Sequence, residues 1–294
     1  MRKEVASGSS PLLVRVGFGQ THPAWGSVHR NAQDVIHEAE RHVQAIGEPI
    51  DVLVLPELAL AGYAFENLSS LLDHSETPSD GPTRELASRL SEMIGGAVVV
   101  GFAEQASTHA SGEVSIVYNS AMIVRGDLLL GVYQKTHLFY KEKKVFTPGR
   151  TGFFTTDLVS SSGVSFKLGT MICFDWYFPE SARTLASIGA DVIAHPSNLV
   201  TPWSPIAMPI RALENRVHAV TANRIGTEQL AGETLTFIGQ SGVYRANGYT
   251  AVRAPEHEVV FDSCLLDIAE SRNKQFTSEN HLWDDLRKES YRLG

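Results

Sequence analysis

Two short runs built almost wholly of apolar residues constrain the fold of this chain most strongly. Asp51-Val-Leu-Val-Leu55 and Ala97-Val-Val-Val-Gly-Phe102 have the length of strands rather than helices. A strand this apolar is buried on both faces of its sheet. Other elements must therefore cover both faces, and the helical spacing of apolar residues over 28–46 and 82–94 predicts such elements nearby.

The rest of the chain extends this pattern into a mixed α/β fold. Further strands are predicted at 12–18, 115–124, 128–134, 164–172, 190–195, 219–223, 243–244, 250–253 and 258–267, and further helices at 179–188, 206–217 and 284–291. No Pro/Gly/Ser-rich linker or internal repeat divides the chain. We therefore predict one domain of helix-covered sheets over residues 12–294, behind a disordered tail at residues 1–11.

Charge and cysteine content narrow the classes of partner. The 294 residues carry a net charge of −8 with no basic run, which argues against nucleic acid and anionic membranes. The two cysteines, Cys173 and Cys264, are too few for a disulfide framework, and we expect a cytoplasmic protein with reduced thiols. The N-terminus has no apolar signal-like segment. No dinucleotide, phosphate-loop or metal-binding motif occurs, so we expect neither a cofactor nor a metal.

Three polar residues follow predicted strands and could form one site. Glu57 and Lys135 come directly after apolar strands, and Cys173 lies between a strand and a helix. The carboxyl ends of strands are where active residues gather in α/β sheets. At Cys173, the turn and the helix N-terminus would supply N–H groups that favour a thiolate and an oxyanion. Each residue could instead be structural: a surface carboxylate, a surface lysine and a small buried hydrophobe.

Together these residue types divide the work of a thiol hydrolase. A cysteine attacks a carbonyl or nitrile carbon, and a partly desolvated glutamate accepts the thiol proton and later activates water. A lysine ammonium stabilises the negative charge that develops on the intermediate. A Cys/His pair involving His137 or His195 is an alternative, but Glu57 and Lys135 already fill the necessary roles.

Three sequence blocks, in order, resemble the signatures of the nitrilase superfamily, the carbon–nitrogen hydrolases. They are Leu55-Pro-Glu-Leu-Ala-Leu-Ala-Gly-Tyr63, then Gln134-Lys-Thr-His-Leu-Phe139 with Glu142 and Phe146-Thr-Pro-Gly149, then Cys173-Phe-Asp-Trp-Tyr-Phe-Pro-Glu180. The resemblance extends from about residue 12 to about residue 267. It implies a four-layer α-β-β-α sandwich that assembles into homodimers or larger homo-oligomers.

The resemblance also implies a role for each matched residue. Glu57 would be the base, Lys135 the stabilising cation and Cys173 the nucleophile. Glu142 occupies the position of a second glutamate and would orient Lys135 or the substrate. The backbone N–H of Phe174 would join Lys135 in holding the oxyanion.

The substrate class remains open between small amides, N-carbamoyl compounds and nitriles. Nitrilases usually follow the cysteine with Trp-Glu, whereas Phe174-Asp175 is more similar to amidases and carbamoylases, so hydrolysis of an amide is our first choice. A small-aliphatic nitrilase is the alternative, and a catalytically idle binding protein is a remote one. We predict that Tyr63, Phe174, Trp176 and Asn198 contact the substrate.

Overall fold

The computed structural model describes residues 11–106 and 116–292. The strands are β1 (Leu13–Gln20), β2 (Val52–Val54), β3 (Ala97–Gln105), β4 (Val117–Arg125), β5 (Leu128–Gln134), β6 (Thr155–Val159), β7 (Ser165–Thr170), β8 (Val192–Pro196), β9 (His218–Ala222), β10 (Ile225–Leu230), β11 (Glu233–Ile238), β12 (Gly242–Tyr244), β13 (Thr250–Arg253) and β14 (Val260–Asp267). The helices are α1 (Val28–Ile46), α2 (Leu68–Leu72), α3 (Pro82–Ile94), α4 (Pro179–Ser187), α5 (Ser204–Asn215) and α6 (Ile268–Arg272). The predicted tail over residues 1–11 lies, except for Pro11, outside the described residues.

The first six-stranded sheet has the order β14-β1-β2-β3-β4-β5, with β1, β2 and β3 parallel. Its central strand β2 is buried on both faces, as its composition predicts. Val52 and Val54 pack into the core between the sheets, while Leu53 and Leu55 pack beneath α1 and α3. Successive side chains of a strand point to opposite faces, so an unbroken apolar run requires cover on both sides.

The second six-stranded sheet has the order β13-β12-β9-β8-β7-β6, with β7, β8 and β9 parallel. Its inner face packs against the first sheet, and α4 and α5 cover its outer face. The layers are therefore helix, sheet, sheet and helix, which confirms the predicted four-layer sandwich. Parallel neighbours place the carboxyl ends of β7 and β8 side by side, and the chain leaving these ends carries Cys173 and Asn198.

The local structure differs from the prediction at several points. The short elements β6, α2 and α6 were not predicted, and two further differences are larger. Residues 225–238 form the hairpin β10–β11, which the sequence analysis did not identify, because its alternation of polar and apolar residues is weak. The predicted helix at 284–291 is wrong, since only a short 3₁₀ turn forms there, at Lys288–Ser290. This segment is polar and mostly exposed, so it has no apolar face to bury, and a helix that short is unstable without one.

Candidate active site

The four predicted catalytic residues come from three connections, two of them from the segment between β5 and β6, and meet in the interior. Glu57 follows β2, Lys135 follows β5, Glu142 lies in a 3₁₀ turn at Tyr140–Lys144, and Cys173 opens a 3₁₀ turn after β7. All four side chains are buried. Lys135 Nζ donates to Glu57 Oε1 at 2.6 Å and to Glu142 Oε1 at 2.8 Å. A lysine with two carboxylates is therefore held away from solvent.

The position of Glu57 depends on a glycine in the neighbouring strand and on two asparagines. A Cβ at Gly101 would lie 2.4 Å from Glu57 Cα, so only glycine lets β3 approach this closely. Asn198 Nδ2 donates to the Glu57 carbonyl oxygen at 2.8 Å, and Asn119 Nδ2 donates to Glu57 Oε1 at 2.7 Å. Glu57 Oε2, although buried, has no hydrogen-bond partner among the described residues.

The backbone at Cys173 is held in a conformation that non-glycine residues rarely adopt. Its φ of 40° lies in the left-handed region, and non-glycine residues with such strained backbone cluster at functional sites. Asp175 Oδ2 accepts from Ile172 N–H at 2.9 Å, just before the nucleophile position. On the other side, His195 Nε2 donates to the Cys173 carbonyl oxygen at 2.9 Å. The turn that presents the sulfur is thus fixed from both directions.

His195 is neutral in this environment. Burial lowers its pKa from 6.5 to about 4, although the hydrogen bond to the Cys173 carbonyl opposes that shift. Because a carbonyl oxygen can only accept, Nε2 carries the proton, and Nδ1 accepts from the Thr221 hydroxyl at 2.9 Å. His195 therefore contacts the backbone of the candidate nucleophile through a fixed tautomer, not its sulfur.

His137 is also engaged away from the sulfur. Its Nδ1 lies 2.7 Å from Asp175 Oδ1, and its ring stacks on Phe178 with 3.7 Å between centroids. Asp175 Oδ2 additionally accepts from the Tyr133 hydroxyl at 2.8 Å. With both histidines bound elsewhere, the geometry does not support a Cys/His pair.

The electrostatics of the site keep the thiol protonated. Burial raises the pKa of the Cys173 thiol well above its usual value, the charge of Glu57 adds to this shift, and the ammonium of Lys135 opposes it. The expectation of a thiolate favoured by N–H groups is therefore wrong for the resting protein. Burial disfavours the charge on Lys135, but the carboxylates of Glu142 and Glu57 outweigh it and hold the Lys135 pKa above its ordinary value. Burial likewise raises the pKa of Glu142, against the influence of Lys135.

A cavity of about 150 Å³ reaches the candidate nucleophile from one side. Its lining consists of Phe139, Cys173, Phe174, Trp176, Tyr177, Asn198, Leu199, Val200, Thr201 and Trp203. Three of the four predicted substrate-contacting residues, Phe174, Trp176 and Asn198, are among them. Glu57, Lys135 and Glu142 lie beyond this lining, in the buried interior.

The fourth predicted substrate contact, Tyr63, lies outside the cavity lining. Its hydroxyl donates to Glu142 Oε1 at 2.6 Å, so it contacts the charged cluster instead. Its backbone N–H donates to Glu228 Oε2 at 2.8 Å. Tyr63 therefore holds Glu142, and its contact with the substrate stays a prediction.

Two features near the site were not predicted from the sequence: Asn119 and the ion pair of Arg224 with Glu228. Asn119 is a fully buried amide in the mostly apolar strand β4, and a polar residue in such a strand was an available signal. The ion pair gave no such signal, because β10 was not recognised.

In the part of the chain that the structure describes, no group of three His, Cys, Asp or Glu side chains could hold a metal ion. No helix there is long and apolar enough to span a bilayer.

Comparison with known proteins identifies the family of this chain. The profile of the Carbon-nitrogen hydrolase family matches residues 15–263, most of the chain. This chain therefore belongs to the carbon–nitrogen hydrolase family and is an enzyme of that class.

Similar proteins include enzymes named for both candidate reactions. The chain is 39% identical to a nitrilase from Pyrococcus abyssi, over 95% of this chain and 99% of that protein. It is 32% identical to an (R)-stereoselective amidase from Pseudomonas sp., over 78% of this chain and 76% of that protein. A mutant amidase from Nesterenkonia sp. AN1, with acrylamide added at its active site cysteine, has the same fold, with a TM-score of 0.69 and 23% identity over 85% of this chain and 92% of that one.

Proposed function

We propose that this protein hydrolyses a non-peptide C–N bond of a small amide or N-carbamoyl compound through a thioester on Cys173. The observation that carries the proposal is the asymmetry of Glu57. Its Oε1 accepts from Lys135 and Asn119, whereas its Oε2 is buried without a partner among the described residues. A carboxylate oxygen kept free beside a protonated thiol is suited to accept a proton from it.

In the acylation half of the reaction, Glu57 takes the Cys173 proton as the sulfur attacks the carbonyl carbon. The C=O π bond opens, and its electrons become the negative charge of a tetrahedral intermediate. Lys135 uses two of its three N–H groups on carboxylates, which leaves one to donate to this oxyanion. The Phe174 backbone N–H, which has no acceptor among the described residues, is the second donor. The C–N bond then breaks, and Glu57 returns the proton to the departing amine.

In the second half, water replaces the amine. Glu57 takes a proton from water as its oxygen attacks the thioester carbon, and the same two donors hold the new oxyanion. The C–S bond breaks, the acid leaves, and Glu57 returns the proton to the sulfur. No metal or organic cofactor is required. Glu142, held by Tyr63, keeps Lys135 charged and in place throughout.

A free acceptor at the cavity wall favours an amide as substrate. Asn198 uses its Nδ2 to hold Glu57, while its Oδ1 is buried with no partner among the described residues. An amide nitrogen has N–H groups to donate to this oxygen, and a nitrile nitrogen has none. The resemblance to an enzyme named as an amidase supports the same choice.

Nitrile hydrolysis is the second candidate, favoured by the 39% identity to an enzyme named as a nitrilase. Cys173 would add to the nitrile carbon to form a thioimidate. One water would then release ammonia and leave the same thioester, and a second water would release the acid. The residues of the site would keep the same roles.

Paired substrates separate the two candidates. Butanamide, butanenitrile and N-carbamoylbutylamine would be incubated with the wild-type protein and with Cys173→Ala, and ammonia and acid would be followed. We expect turnover of the amide or carbamoyl compound by the wild type alone. Turnover of the nitrile alone would replace the first candidate with the second. Turnover of none of the three compounds would count against both candidates, and undiminished activity of Cys173→Ala would refute the mechanism.

We also infer that residues 12–294 form one domain, and that the protein is a cytoplasmic homodimer or larger homo-oligomer. Helix α5 supports assembly, since Ile206, Ile210 and Leu213 are 63%, 49% and 47% exposed and lie on one face. Apolar residues at that spacing form a stripe that a second copy could cover. Light scattering on the purified protein tests this inference, and a monomer at micromolar concentration would contradict it.

A further inference from the structure

The cavity beside Cys173 has a lining without formal charge. Aromatic and aliphatic side chains supply most of it, and its polar members are Asn198, Thr201 and Cys173, whose thiol is protonated. Of the residues that the structure describes, no Lys, Arg, Asp, Glu or His side chain lines it. A charged group on the acyl side of a substrate would therefore meet no opposite charge in this cavity.

Apart from the cluster of Glu57, Lys135 and Glu142, two cations flank this lining, and both are already paired. Arg211 donates from Nε to the Trp176 carbonyl at 3.2 Å and from Nη1 to Glu214 at 3.1 Å. Lys141, which follows the lining residue Phe139 by two positions, forms an ion pair with Glu233 at 3.0 Å. Moving either cation into the cavity would break these contacts and strip the cation of solvent, which costs free energy unless a full partner replaces them.

The size of the cavity limits the group it can hold. A volume of about 150 Å³ matches that of an apolar protein cavity known to bind benzene, which suggests acyl chains of about four to seven carbon atoms. Aromatic walls from Trp176 and Phe174 suit branched aliphatic or aryl groups of this size.

From the lining and the volume together, and resting on the proposed hydrolase function, we propose that the cavity selects an uncharged, apolar acyl group of about this size. Amides of branched aliphatic or aryl carboxylic acids belong to this class. Carbamoyl or amide compounds with a second carboxylate or an ammonium on the acyl side are excluded, because their charge would be buried without a partner.

Isosteric substrates test the exclusion of charge directly. In succinamate, a carboxylate replaces the isopropyl end of 4-methylpentanamide, and in 5-aminopentanamide an ammonium replaces the terminal methyl of hexanamide. We expect kcat/KM to be at least about 100-fold higher for the neutral member of each pair. A ratio below about 10, or a preference for the charged member, would overturn the proposal.

A cation placed in the lining should change this preference in a predictable direction. Thr201→Arg should raise kcat/KM for succinamate relative to 4-methylpentanamide by at least about 10-fold, because a guanidinium then faces the carboxylate. The matched control is Thr250→Arg, an equally charged change at an exposed position of β13 outside the cavity, which should leave the ratio unchanged. An equal shift in both variants, or none in Thr201→Arg, would contradict the assignment of the cavity.

Binding to Cys173→Ala separates this proposal from the proposed function. Trp176 and Trp203 line the cavity, so quenching of tryptophan fluorescence reports occupancy without turnover. We expect the neutral amides to bind at least about 10-fold more tightly than their charged isosteres. If the wild type hydrolyses none of the four while this preference holds, the hydrolase proposal fails and the cavity proposal stands. If turnover occurs and the charged isosteres bind equally well or better, the cavity proposal fails alone.

Discussion

Two buried ion clusters in this protein use similar charges in different ways. In the first, Lys135 lies between Glu57 and Glu142. In the second, Arg224 pairs with Glu228 and lies over the Phe237 ring, 4.2 Å from its centroid. Both clusters are almost completely inaccessible to solvent, where an ion survives only with good partners.

The clusters differ in whether both oxygens of the carboxylate have hydrogen-bond partners, as they do in Glu228 and do not in Glu57. Glu228 Oε1 accepts from Arg224, and its Oε2 accepts from the backbone N–H groups of Tyr63 and Ala64, each at 2.8 Å. Glu57 leaves Oε2 without a partner among the described residues. A buried acceptor left empty costs free energy. Beside the Cys173 thiol such an acceptor can take a proton, whereas both oxygens of Glu228 are occupied in holding Arg224 and the backbone.

The largest expected effect comes from removing the unpaired acceptor. Glu57→Gln should lower kcat/KM by about 10³- to 10⁴-fold, because the thiol and the attacking water lose their base. The midpoint of thermal unfolding should change little, because Lys135 keeps Glu142 as a counter-ion. Steady-state kinetics and calorimetry on one preparation measure both, and retention of more than about a tenth of the activity would remove Glu57 from the mechanism.

The matched change in the cluster of Arg224 and Glu228 should lower the stability of the protein and largely keep its turnover. Glu228→Gln leaves the Arg224 charge buried without a carboxylate, and we expect the free energy of unfolding to fall by about 3–5 kcal/mol. The turnover number of the folded fraction should stay within about 10-fold of the wild type. Urea unfolding and active-site titration provide the two values. A loss of turnover as large as that of Glu57→Gln, without a loss of stability, would erase the distinction between the clusters.

Two buried histidines extend the comparison to pH. Burial lowers the pKa of both His195 and His218 from 6.5 to about 4. Between these values the unfolded chain binds protons that the folded chain does not, so stability falls as pH decreases from about 6.5 to 4, by roughly 3 kcal/mol for each histidine. Above pH 6.5 neither histidine makes the stability depend on pH. Urea unfolding at a series of pH values measures this effect.

Single variants then separate the two histidines. His195→Gln and His218→Gln should each remove about half of that slope. Only His195→Gln should also lower kcat, since His195 bonds the Cys173 carbonyl, whereas His218 bonds the Asp267 carbonyl, away from the site. Equal losses of kcat in both variants would argue against a positioning role for His195.

The smallest expected effect comes from removing the side-chain amide of Asn119, which donates to Glu57 Oε1. Asn119→Ala should lower kcat by about 10- to 100-fold, because Glu57 loses a donor that fixes its orientation. Asn215→Ala is the control, as this buried amide donates to the Arg211 carbonyl at 2.9 Å within α5. Asn215→Ala should cost stability without lowering kcat. The same kinetic loss in both variants would mean that Asn119 acts only through folding.

Much of this organisation could be predicted from the sequence, and the exceptions have physical reasons. Cover on both faces of the sheet follows from the apolar run at β2, whereas the four-layer arrangement was implied by the resemblance to the carbon–nitrogen hydrolases. The candidate catalytic residues lie within three short sequence blocks that occur in a fixed order, so they could be assigned to the site before the fold was known. They are Glu57, Lys135, Glu142 and Cys173. Their roles stay proposals.

Contacts between distant segments could not be predicted in this way. Tyr63 reaches Glu142 across 79 positions, and Asn198 reaches the Glu57 carbonyl across 141. The protonated state of Cys173 depends on burial and on the charges around it, neither of which a local pattern of residues contains. A one-dimensional pattern identifies the chemical groups, but three-dimensional packing sets their partners and protonation.

The most direct test of the central claim, that Cys173 forms an acyl-enzyme with Glu57 as its base, is mass spectrometry of the wild-type protein quenched in acid during turnover of a slow amide. We predict a mass increase equal to the acyl group less one hydrogen, localised to the peptide that contains Cys173 and absent from Glu57→Gln quenched at the same time. Sustained release of acid with Cys173 unmodified, together with turnover by Cys173→Ala, would contradict the account.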